Sequence, residues 1–356
     1  MYERILIAGG AGFVGSSVAL ALRRAFPASE IVAFDNLRRR GSELNLPRLA
    51  AAGVRFVHGD VRSAEDLAAA PLPGLIIEAS AEPSAQAGYG GSPEYLIRTN
   101  LGGCFECLEL ARRHGADFLF LSTSRVYPAG LLNGLAYRED ETRFTLLDGQ
   151  SVPGASAAGI AEDFPLEGAR SLYGMTKLAA ELMVAEYGAA YGLRTVINRC
   201  GVIAGPWQMG KTDQGVAALW VAAHYFRRPL DYIGFGGAGR QVRDMLHIDD
   251  LCDLVTLEAG SMERFAGRVL NAGGGMAGSL SLREMTALCE EITGNRLEIG
   301  SCPRERPADI RIYVTDHRRL TEFCGWTPRR GPRAVLADIG EWIRAEESFV
   351  RPILTA

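Results

Sequence analysis

Residues 5–22 read ILIAGGAGFVGSSVALAL, and Gly9, Gly12 and Gly15 recur in them at intervals of three, directly after a short apolar run. The unbroken apolar run predicts a buried strand, and the apolar residues spaced three and four apart after the glycines predict a helix. A strand-to-helix turn without side chains can turn tightly and lie close to a ligand. Because the first N–H groups and the positive dipole end of the helix face that ligand, the turn predicts an anion site, most simply for a pyrophosphate.

Two further strands support a dinucleotide site. The segment EIVAFD ends at Asp35, about twenty residues after the last glycine, where a dinucleotide fold places the acid that accepts hydrogen bonds from the adenosine ribose. This carboxylate repels a 2′-phosphate and favours NAD over NADP; the arginines at 38–40 partly oppose that repulsion, and we interpret them as solvated loop charges. The third strand, VRFVHGDV, ends in Asp60, which we expect near the adenine. Strands alternating with helices predict an α/β fold with a doubly wound parallel sheet, the Rossmann architecture.

A tyrosine and a lysine supply candidate chemistry. The segments GLIIEASA and ADFLFLSTS are predicted as the fourth and fifth strands, the latter ending in Ser122, Thr123 and Ser124. After a long loop, Tyr173 and Lys177 open a predicted helix four residues apart, on one face. An adjacent ammonium and a cationic nicotinamide ring both favour the phenolate, which makes the tyrosine a workable acid and base for a substrate hydroxyl.

The motifs GGAGFVG, STSRVY and YGMTK, with the acid at position 35, resemble the extended short-chain dehydrogenase/reductase family of nucleotide-sugar epimerases and dehydratases. The resemblance implies that Thr123 hydrogen-bonds the reacting hydroxyl and that Tyr173 is the catalytic tyrosine. It implies that Lys177 binds the nicotinamide ribose and lowers the pKa of the tyrosine, and that Asn100 belongs to the helix under the site. We assign to the NAD site Gly9, Gly12, Phe13, Val14, Gly15, Asp35, Asn36, Asp60, Val61, Ala79, Asn100, Tyr173 and Lys177.

The residues after Thr123 bear on which member of the family this is. The 4,6-dehydratases of the family carry an adjacent Asp-Glu pair there for removing water, whereas this chain has Ser124 and Arg125, so a dehydratase is disfavoured. The segments FDNLRRRGSELNL, TDQGV and GRQVRDMLHIDDL, and the long stretch 128–171, resemble the CDP-sugar 2-epimerases of the family. One departure is Glu78, which stands where the family usually has a histidine at the end of the fourth strand.

By the same resemblance, Arg243 contacts the pyrophosphate of a nucleotide sugar and Arg306 supports the nucleotide or its ribose; the planar fork of arginine meets phosphate oxygens with two hydrogen bonds. Asp213 is expected to line the sugar pocket. His247, beside Asp249 and Asp250, is interpreted as a helix-capping arrangement, and no metal is assigned. The residues assigned to the substrate are Ser124, Arg125, Asn198, Gln214, Arg243 and Arg306.

Length and composition bound the rest. The chain has 356 residues, a formal net charge of −4 and seven scattered cysteines, so we expect neither a nucleic-acid nor a membrane partner, and reduced thiols in the cytoplasm. No signal peptide is expected at the N-terminus. We predict a dinucleotide-binding domain over 1–200, with a returning segment near 240–275, and a smaller C-terminal α/β domain for the nucleotide sugar over 201–356. By family resemblance a homodimer is expected through the helices at 99–113 and 173–188.

The resulting hypothesis is an enzyme that keeps NAD bound, oxidises a CDP- or UDP-linked hexose to a keto-sugar and returns the hydride to its opposite face. A CDP-hexose 2-epimerase is favoured. The alternatives are a UDP-sugar 4-epimerase or uronate decarboxylase of the same family, and a regulatory protein that binds NAD without catalysis. The intact set of Thr123, Tyr173 and Lys177 argues against the last, because a pure binder has no need of the tyrosine.

Overall fold

The computed structural model of the protein describes residues 1–210 and 214–355. Its strands, in chain order, are Arg4–Ala8 (β1), Glu30–Asp35 (β2), Arg55–His58 (β3), Leu75–Glu78 (β4), Asp117–Thr123 (β5), Tyr137–Glu139 (β6), Phe144–Leu146 (β7), Ala155–Ser156 (β8), Gly159–Ile160 (β9), Thr195–Cys200 (β10), Val202–Ala204 (β11), Asp231–Ile233 (β12), Val242–His247 (β13), Arg268–Ala272 (β14), Ser279–Ser281 (β15), Gly300–Cys302 (β16) and Ile312–Tyr313 (β17).

The helices, in chain order, are Phe13–Ala25 (α1), Leu46–Ala51 (α2), Ala64–Ala68 (α3), Glu94–Ile97 (α4), Gly103–His114 (α5), Ala129–Asn133 (α6), Leu172–Tyr191 (α7), Val216–Phe226 (α8), Ile248–Ala259 (α9), Met262–Phe265 (α10), Leu282–Thr293 (α11), Arg318–Cys324 (α12), Pro332–Ala345 (α13) and Glu347–Leu354 (α14). A π-helical turn, Arg98–Gly102, joins α4 to α5. Among the residues described, no helix combines the length and the apolar character needed to cross a bilayer.

A seven-stranded sheet organises the first half of the molecule, in the order β14-β10-β5-β4-β1-β2-β3. β1 pairs in parallel with β2 on one side and with β4 on the other, so the strand order reverses beside the glycine turn. Ligands of doubly wound sheets bind at the carboxyl ends of the strands next to such a reversal. The predicted fold class is therefore confirmed, and the sheet brings the ends of β1, β2, β4 and β5 to one edge.

The core of this sheet explains why its central strands read as unbroken apolar runs. Leu6 of β1, Ile76 of β4 and Phe118 of β5 are fully buried, and helices cover both faces of the sheet. α5 adds Cys104, Cys107 and Leu108 to the same cluster. These two cysteines thus pack as small apolar side chains.

The contacts within the chain divide it differently from the predicted domains. One compact unit comprises 1–123, 172–199 and 251–269, and the other comprises 124–171, 200–250 and 270–356. The long segment 124–171 was expected in the dinucleotide domain, but its backbone bonds within the second unit: Phe144 N–H donates to Arg240 O at 3.0 Å and Ile160 N–H to Val314 O at 2.8 Å. The returning segment is shorter than the predicted stretch near 240–275.

The second unit carries a smaller sheet. Its strands run in the order β11-β13-β15, with β17 also paired to β13, and β13 is parallel to β11 and β17 but antiparallel to β15. α8, α11 and α13 pack against one another in this unit. β13 begins at the valine of the QVRDML motif, so the sheet fixes the position of Arg243.

Candidate active site

The glycine turn has the geometry that its sequence predicts. Gly9 has a φ of +75°, which favours glycine, and its N–H donates to Phe34 O at 2.9 Å. A Cβ on Gly15 would lie 2.1 Å from Gly9 O, so this glycine lets α1 begin against the turn. A Cβ on Gly12 would meet only Gly9 O within 4 Å, at 3.2 Å. The packing of the chain therefore forbids a side chain at position 15, whereas at position 12 a Cβ would meet one backbone oxygen and the space beyond it is open.

This open space fits the pyrophosphate of a dinucleotide. Gly12 is the N-cap of α1, and none of the first residues of that helix is acidic. The first N–H groups of a 13-residue helix are thus presented beside a position without a side chain. The turn is suited to a phosphate group on the evidence of its own backbone.

Two carboxylates follow the neighbouring strands. The Asp35 carboxylate accepts hydrogen bonds from Leu37 N–H at 2.8 Å and Ala11 N–H at 3.1 Å, so it is fixed at the end of β2 next to the glycine turn. Burial raises the pKa of Asp35, and the N–H bonds oppose that shift. The sequence predicted that the third strand ends in Asp60. In the structure β3 ends at His58, so Asp60 lies in the loop that follows the strand.

Asp60 belongs to a small polar cluster in that loop. Arg62 donates two hydrogen bonds to its carboxylate, from Nε to Oδ1 at 2.9 Å and from Nη2 to Oδ2 at 2.6 Å. Asn36 Nδ2 donates to the same carboxylate at 2.9 Å. The Arg62 guanidinium holds the pKa of Asp60 well below its usual range. Asp60, which is predicted near the adenine, and Asn36, which is also assigned to the NAD site, are thus in contact.

Tyr173 and Lys177 lie in the first two turns of α7, as the spacing predicts. The Lys177 side chain is 3% exposed, and its Nζ lies 3.5 Å from Oε2 of Glu78, which is 1% exposed. The same ammonium lies 4.2 Å from the centre of the Phe120 ring in β5. Thr123 is the last residue of β5 and is buried. The predicted catalytic residues therefore all belong to the first unit.

A buried polar network anchors α7 to the sheet. Glu181, one turn after Lys177, accepts from Ser122 Oγ at 2.5 Å and from Arg199 Nη2 at 2.7 Å. Ser122 lies in β5 and Arg199 in β10, and all three side chains are buried. Because the carboxylate, guanidinium and hydroxyl satisfy one another, they fix the helix relative to two strands.

Asn100 supports the same helix from below. Its Oδ1 accepts from Glu82 N–H at 2.8 Å, and its Nδ2 donates to Thr176 Oγ1 at 3.2 Å. Thr176 Oγ1 in turn donates to Tyr173 O at 2.8 Å. Asn100 thus connects the segment after β4 to the helical turn that carries the tyrosine and the lysine.

Three of the residues assigned to the substrate meet in the second unit. Arg125 Nη1 donates to Ala308 O at 3.2 Å, and Arg243 Nη2 donates to Ile310 O at 2.5 Å. Arg306 lies in the turn before them, where its carbonyl accepts from Asp309 N–H. Asp309 Oδ1 lies 3.2 Å from Arg243 Nη2. Burial and, to a lesser degree, the nearby charge of Arg125 lower the pKa of Arg243 to about 10, although the carboxylates of Asp309 and Asp244 oppose the shift.

The remaining residues assigned to the substrate are Asn198, Ser124, Gln214 and, for the sugar pocket, Asp213. Asn198 is fully buried in β10, in the first unit, and donates from Nδ2 to Glu258 Oε2 at 2.7 Å. This contact gives it a structural role, which the sequence did not reveal. Ser124 is buried in the second unit directly after β5, and Gln214 is partly buried before α8. Asp213 lies outside the described residues.

His247 caps a helix, as interpreted. Its Nδ1 accepts from Asp249 N–H at 3.0 Å at the start of α9, and its Nε2 lies 3.1 Å from Asp338 Oδ2. Asp250 instead accepts from Arg330 Nη1 at 2.5 Å. Within 1–210 and 214–355, no cluster of three or more His, Cys, Asp or Glu side chains is arranged to hold a metal ion.

The fold and these residues define a dinucleotide-binding sheet that carries a Tyr-Lys helix. Comparison with known proteins agrees: the sequence model of the NAD dependent epimerase/dehydratase family matches residues 5–273. The chain belongs to this family. NAD is the cofactor of the family, and the glycine turn and Asp35 fit it.

Particular relatives span both branches of the family. A CDP-paratose 2-epimerase from Salmonella typhi is 30% identical over 354 residues, 95% of this chain and 98% of its own. A dTDP-glucose 4,6-dehydratase from Mycolicibacterium smegmatis is 29% identical over 357 residues, 98% of this chain and 96% of its own. The crystal structure of a Thermus thermophilus UDP-glucose 4-epimerase in complex with NAD superposes with a TM-score of 0.77 at 25% identity, over 96% of this chain and 99% of that one.

Glu78 is the residue that the sequence reasoning left without a role. It was noted only as a departure from the family pattern, and the structure pairs it with Lys177. A signal was present, because a carboxylate that ends the apolar run LII needs a cation once buried, and Lys177 is one of only two lysines in the chain.

Proposed function

We propose that the protein is a nucleotide-sugar epimerase that acts with NAD, and specifically a CDP-hexose 2-epimerase. The observation that carries the proposal is the Tyr-Lys helix held against β5, together with Ser124 and Arg125 where the dehydratases of the family have a carboxylate pair. Epimerisation by oxidation and reduction needs one acid/base and a helper hydroxyl, and not a second proton donor for elimination. The similarity to a CDP-paratose 2-epimerase supports the choice of nucleotide and carbon.

The tyrosine performs the proton transfer in this proposal. Tyr173 Oη accepts the proton of the sugar hydroxyl while Thr123 Oγ1 hydrogen-bonds the same oxygen. Bound NAD supplies a reversible hydride acceptor for the carbon that carries this hydroxyl. The keto-sugar then rotates within the site so that the opposite face of its carbonyl carbon is presented for reduction. Tyr173 returns its proton to the carbonyl oxygen as this carbon is reduced. Proton and hydride are both restored, so the product differs from the substrate in one stereocentre only.

The arginine cluster supports a nucleotide-linked substrate. Arg125 and Arg243 donate to the carbonyls of Ala308 and Ile310, in the segment that follows Arg306, and Asp309 lies beside Arg243. In the proposal, their guanidinium groups bind the pyrophosphate of the substrate with paired, charge-assisted hydrogen bonds. This anchoring leaves the sugar as the part of the substrate that is free to turn.

A UDP-sugar 4-epimerase is the second candidate, favoured by the structural similarity to the Thermus thermophilus enzyme. It would use the same tyrosine, lysine and cofactor and would differ only in the carbon oxidised. Neither the fold nor the motifs identify the carbon that is oxidised. The two candidates are therefore distinguished by which nucleotide sugar the protein converts.

The experiment is a substrate panel. Purified protein is incubated separately with CDP-linked and UDP-linked hexoses, and the sugars are followed by proton NMR, whose coupling constants identify the inverted carbon. We expect inversion at C2 of a CDP-hexose. Inversion at C4 of a UDP-sugar would establish the second candidate, and loss of water to a 4-keto-6-deoxy product would contradict both. Protein that holds NAD but converts none of them would favour a non-catalytic NAD-binding protein.

We also propose a homodimer formed through α5 and α7. These helices expose large apolar side chains: Phe105 is 43% exposed, Leu182 is 62% exposed and Tyr191 is 55% exposed. Such side chains on two neighbouring helices form a surface that a second copy would cover.

A further inference from the structure

The pair formed by Glu78 and Lys177 is a charged contact in the core of the dinucleotide-binding unit. The two residues are 99 positions apart, and they meet because β4 ends beneath the first turns of α7. Their side chains are 1% and 3% exposed. Two charges buried to this extent are retained in proteins only when they are paired.

The carboxylate is held in place from its other side. Ser80 donates to Glu78 Oε1 from its backbone N–H at 3.0 Å and also from its hydroxyl. The second oxygen, Oε2, faces the ammonium. Glu78 is thus oriented so that one oxygen is satisfied by Ser80 and the other is directed at Lys177.

Among the titratable groups that the structure describes around this ammonium, Glu78 exerts the largest charge effect. Tyr173 of α7 and Cys104 of α5 also act on Lys177, and Cys107 faces Glu78. Burial, with the charge of Glu78, raises the pKa of both thiols well above the ordinary value, so they are neutral. Burial lowers the pKa of Lys177, but the surrounding charges, Glu78 foremost, raise it by more, and the net direction is upward.

We propose that Glu78 is a positioning residue, the counter-ion that keeps Lys177 in its ammonium form so that Tyr173 can ionise. A fully buried lysine without a counter-ion gives up its proton, and a neutral amine no longer favours the phenolate. The inference deepens the proposed function and rests on it only for the catalytic role of the tyrosine. It assigns a task to the residue that replaces the usual histidine of the family.

The composition of the chain makes the charge of Lys177 measurable. The chain contains two lysines, Lys177 and Lys211, so lysine labelled with ¹³C at Cε gives two NMR signals, and K211R assigns them. We would titrate the wild type, E78Q and E82Q. E82Q is the matched control, because Glu82 lies in the same segment but its carboxylate accepts from Ser84 N–H at 3.3 Å.

We expect the Lys177 signal of the wild type and of E82Q to stay at the ammonium position up to about pH 10, the ordinary range of lysine. In E78Q its midpoint should fall by at least about one pH unit. Equal midpoints in wild type and E78Q would overturn the proposal. If E78Q does not fold, the titration of Lys177 in the wild type is the test. A Lys177 midpoint below the ordinary range of lysine overturns the proposal, and a midpoint at or above that range upholds it.

A kinetic readout separates positioning from a merely structural role. In E78Q the alkaline limb of the pH profile of kcat should move to lower pH by the same interval as the midpoint of the lysine titration. KM should change less than about twofold. E78D keeps a carboxylate, so its shift should be smaller than that of E78Q. A structural defect would lower kcat equally at every pH. The NMR titration needs no turnover, so a protein that converts no nucleotide sugar counts against the proposed function only. An active enzyme with an unshifted lysine counts against the role of Glu78 only.

Discussion

Among single residues, Tyr173 is the one on which the proposed chemistry depends. Its helix presents it four residues before a buried lysine, and the turn that carries both is tied through Thr176 and Asn100 to the segment after β4. A phenol needs such surroundings, because it is otherwise a poor base at neutral pH. The proton transfer therefore depends on the contacts around Tyr173 as well as on its own side chain.

Replacing the tyrosine tests its role directly. Y173F removes the only atom that the proposal uses for proton transfer, so kcat should fall by about 10²–10⁴-fold while bound NAD is retained. Y187F on the same helix is the matched control, because Tyr187 Oη donates to Glu109 Oε1 at 2.8 Å and has no assigned role in catalysis. Turnover by NMR and cofactor content after denaturation are the measurements. Retention of most of the turnover in Y173F would refute the assignment.

Among the structural elements, the glycine turn contains one glycine that we expect folding to require, Gly15, and one that we expect cofactor binding to require, Gly12. G15A places a Cβ 2.1 Å from Gly9 O, so it should prevent stable folding. G12A meets only Gly9 O, at 3.2 Å, so it should fold but lose NAD by filling the space beside the start of α1. Melting temperature and cofactor content distinguish the two. A G12A protein that retains NAD as the wild type does would show that the pyrophosphate lies elsewhere.

The junction of β10 and α9 predicts a pH dependence of stability. Burial raises the pKa of Glu258 to about 8, although Asn198 donates to it. Between about 4.3, the pKa of an unperturbed glutamate, and about 8, the folded state holds a proton that the unfolded state has released. Stability from this group is therefore fully present below the lower pKa and is lost as the pH rises to the upper one.

E258Q removes this titration, so its free energy of unfolding relative to the wild type should increase from pH 5.5 to pH 8 by roughly 2–3 kcal/mol. Urea denaturation at the two pH values measures the difference. The same relative stability at both would mean that Glu258 is ionised in the folded protein.

The sequence predicted the local parts of this architecture. The spacing of Gly9, Gly12 and Gly15 and the pair Tyr173 and Lys177 are features of short segments, and β2 begins and ends where its apolar pattern does. The contact of Glu78 with Lys177 was missed, because it depends on how a strand and a helix 99 residues apart pack together. The place of 124–171 in the second unit was missed for the same reason, since backbone bonds to distant residues determine it.

At the scale of the whole molecule, the proposed dimer has a direct test. F105D and L182D together place two charges on the exposed apolar side chains of α5 and α7, so the protein should sediment as a monomer of 38.4 kDa where the wild type sediments at about twice that mass. F349D is the control, because Phe349 is 62% exposed on α14, in the other unit. A wild type that is monomeric at micromolar concentration would contradict the proposal.

In the proposed mechanism a hydride leaves one carbon of the sugar and returns to the same carbon. The measurement that tests it most directly uses a CDP-hexose deuterated at C2, converted in ordinary water by protein with no added cofactor, and analysed by NMR and mass spectrometry. We expect an inverted C2 that keeps its deuterium, and NAD recovered in the oxidised form after denaturation. Loss of the deuterium to solvent would contradict it, because it would mean that the stereocentre inverts by proton abstraction and not by hydride transfer.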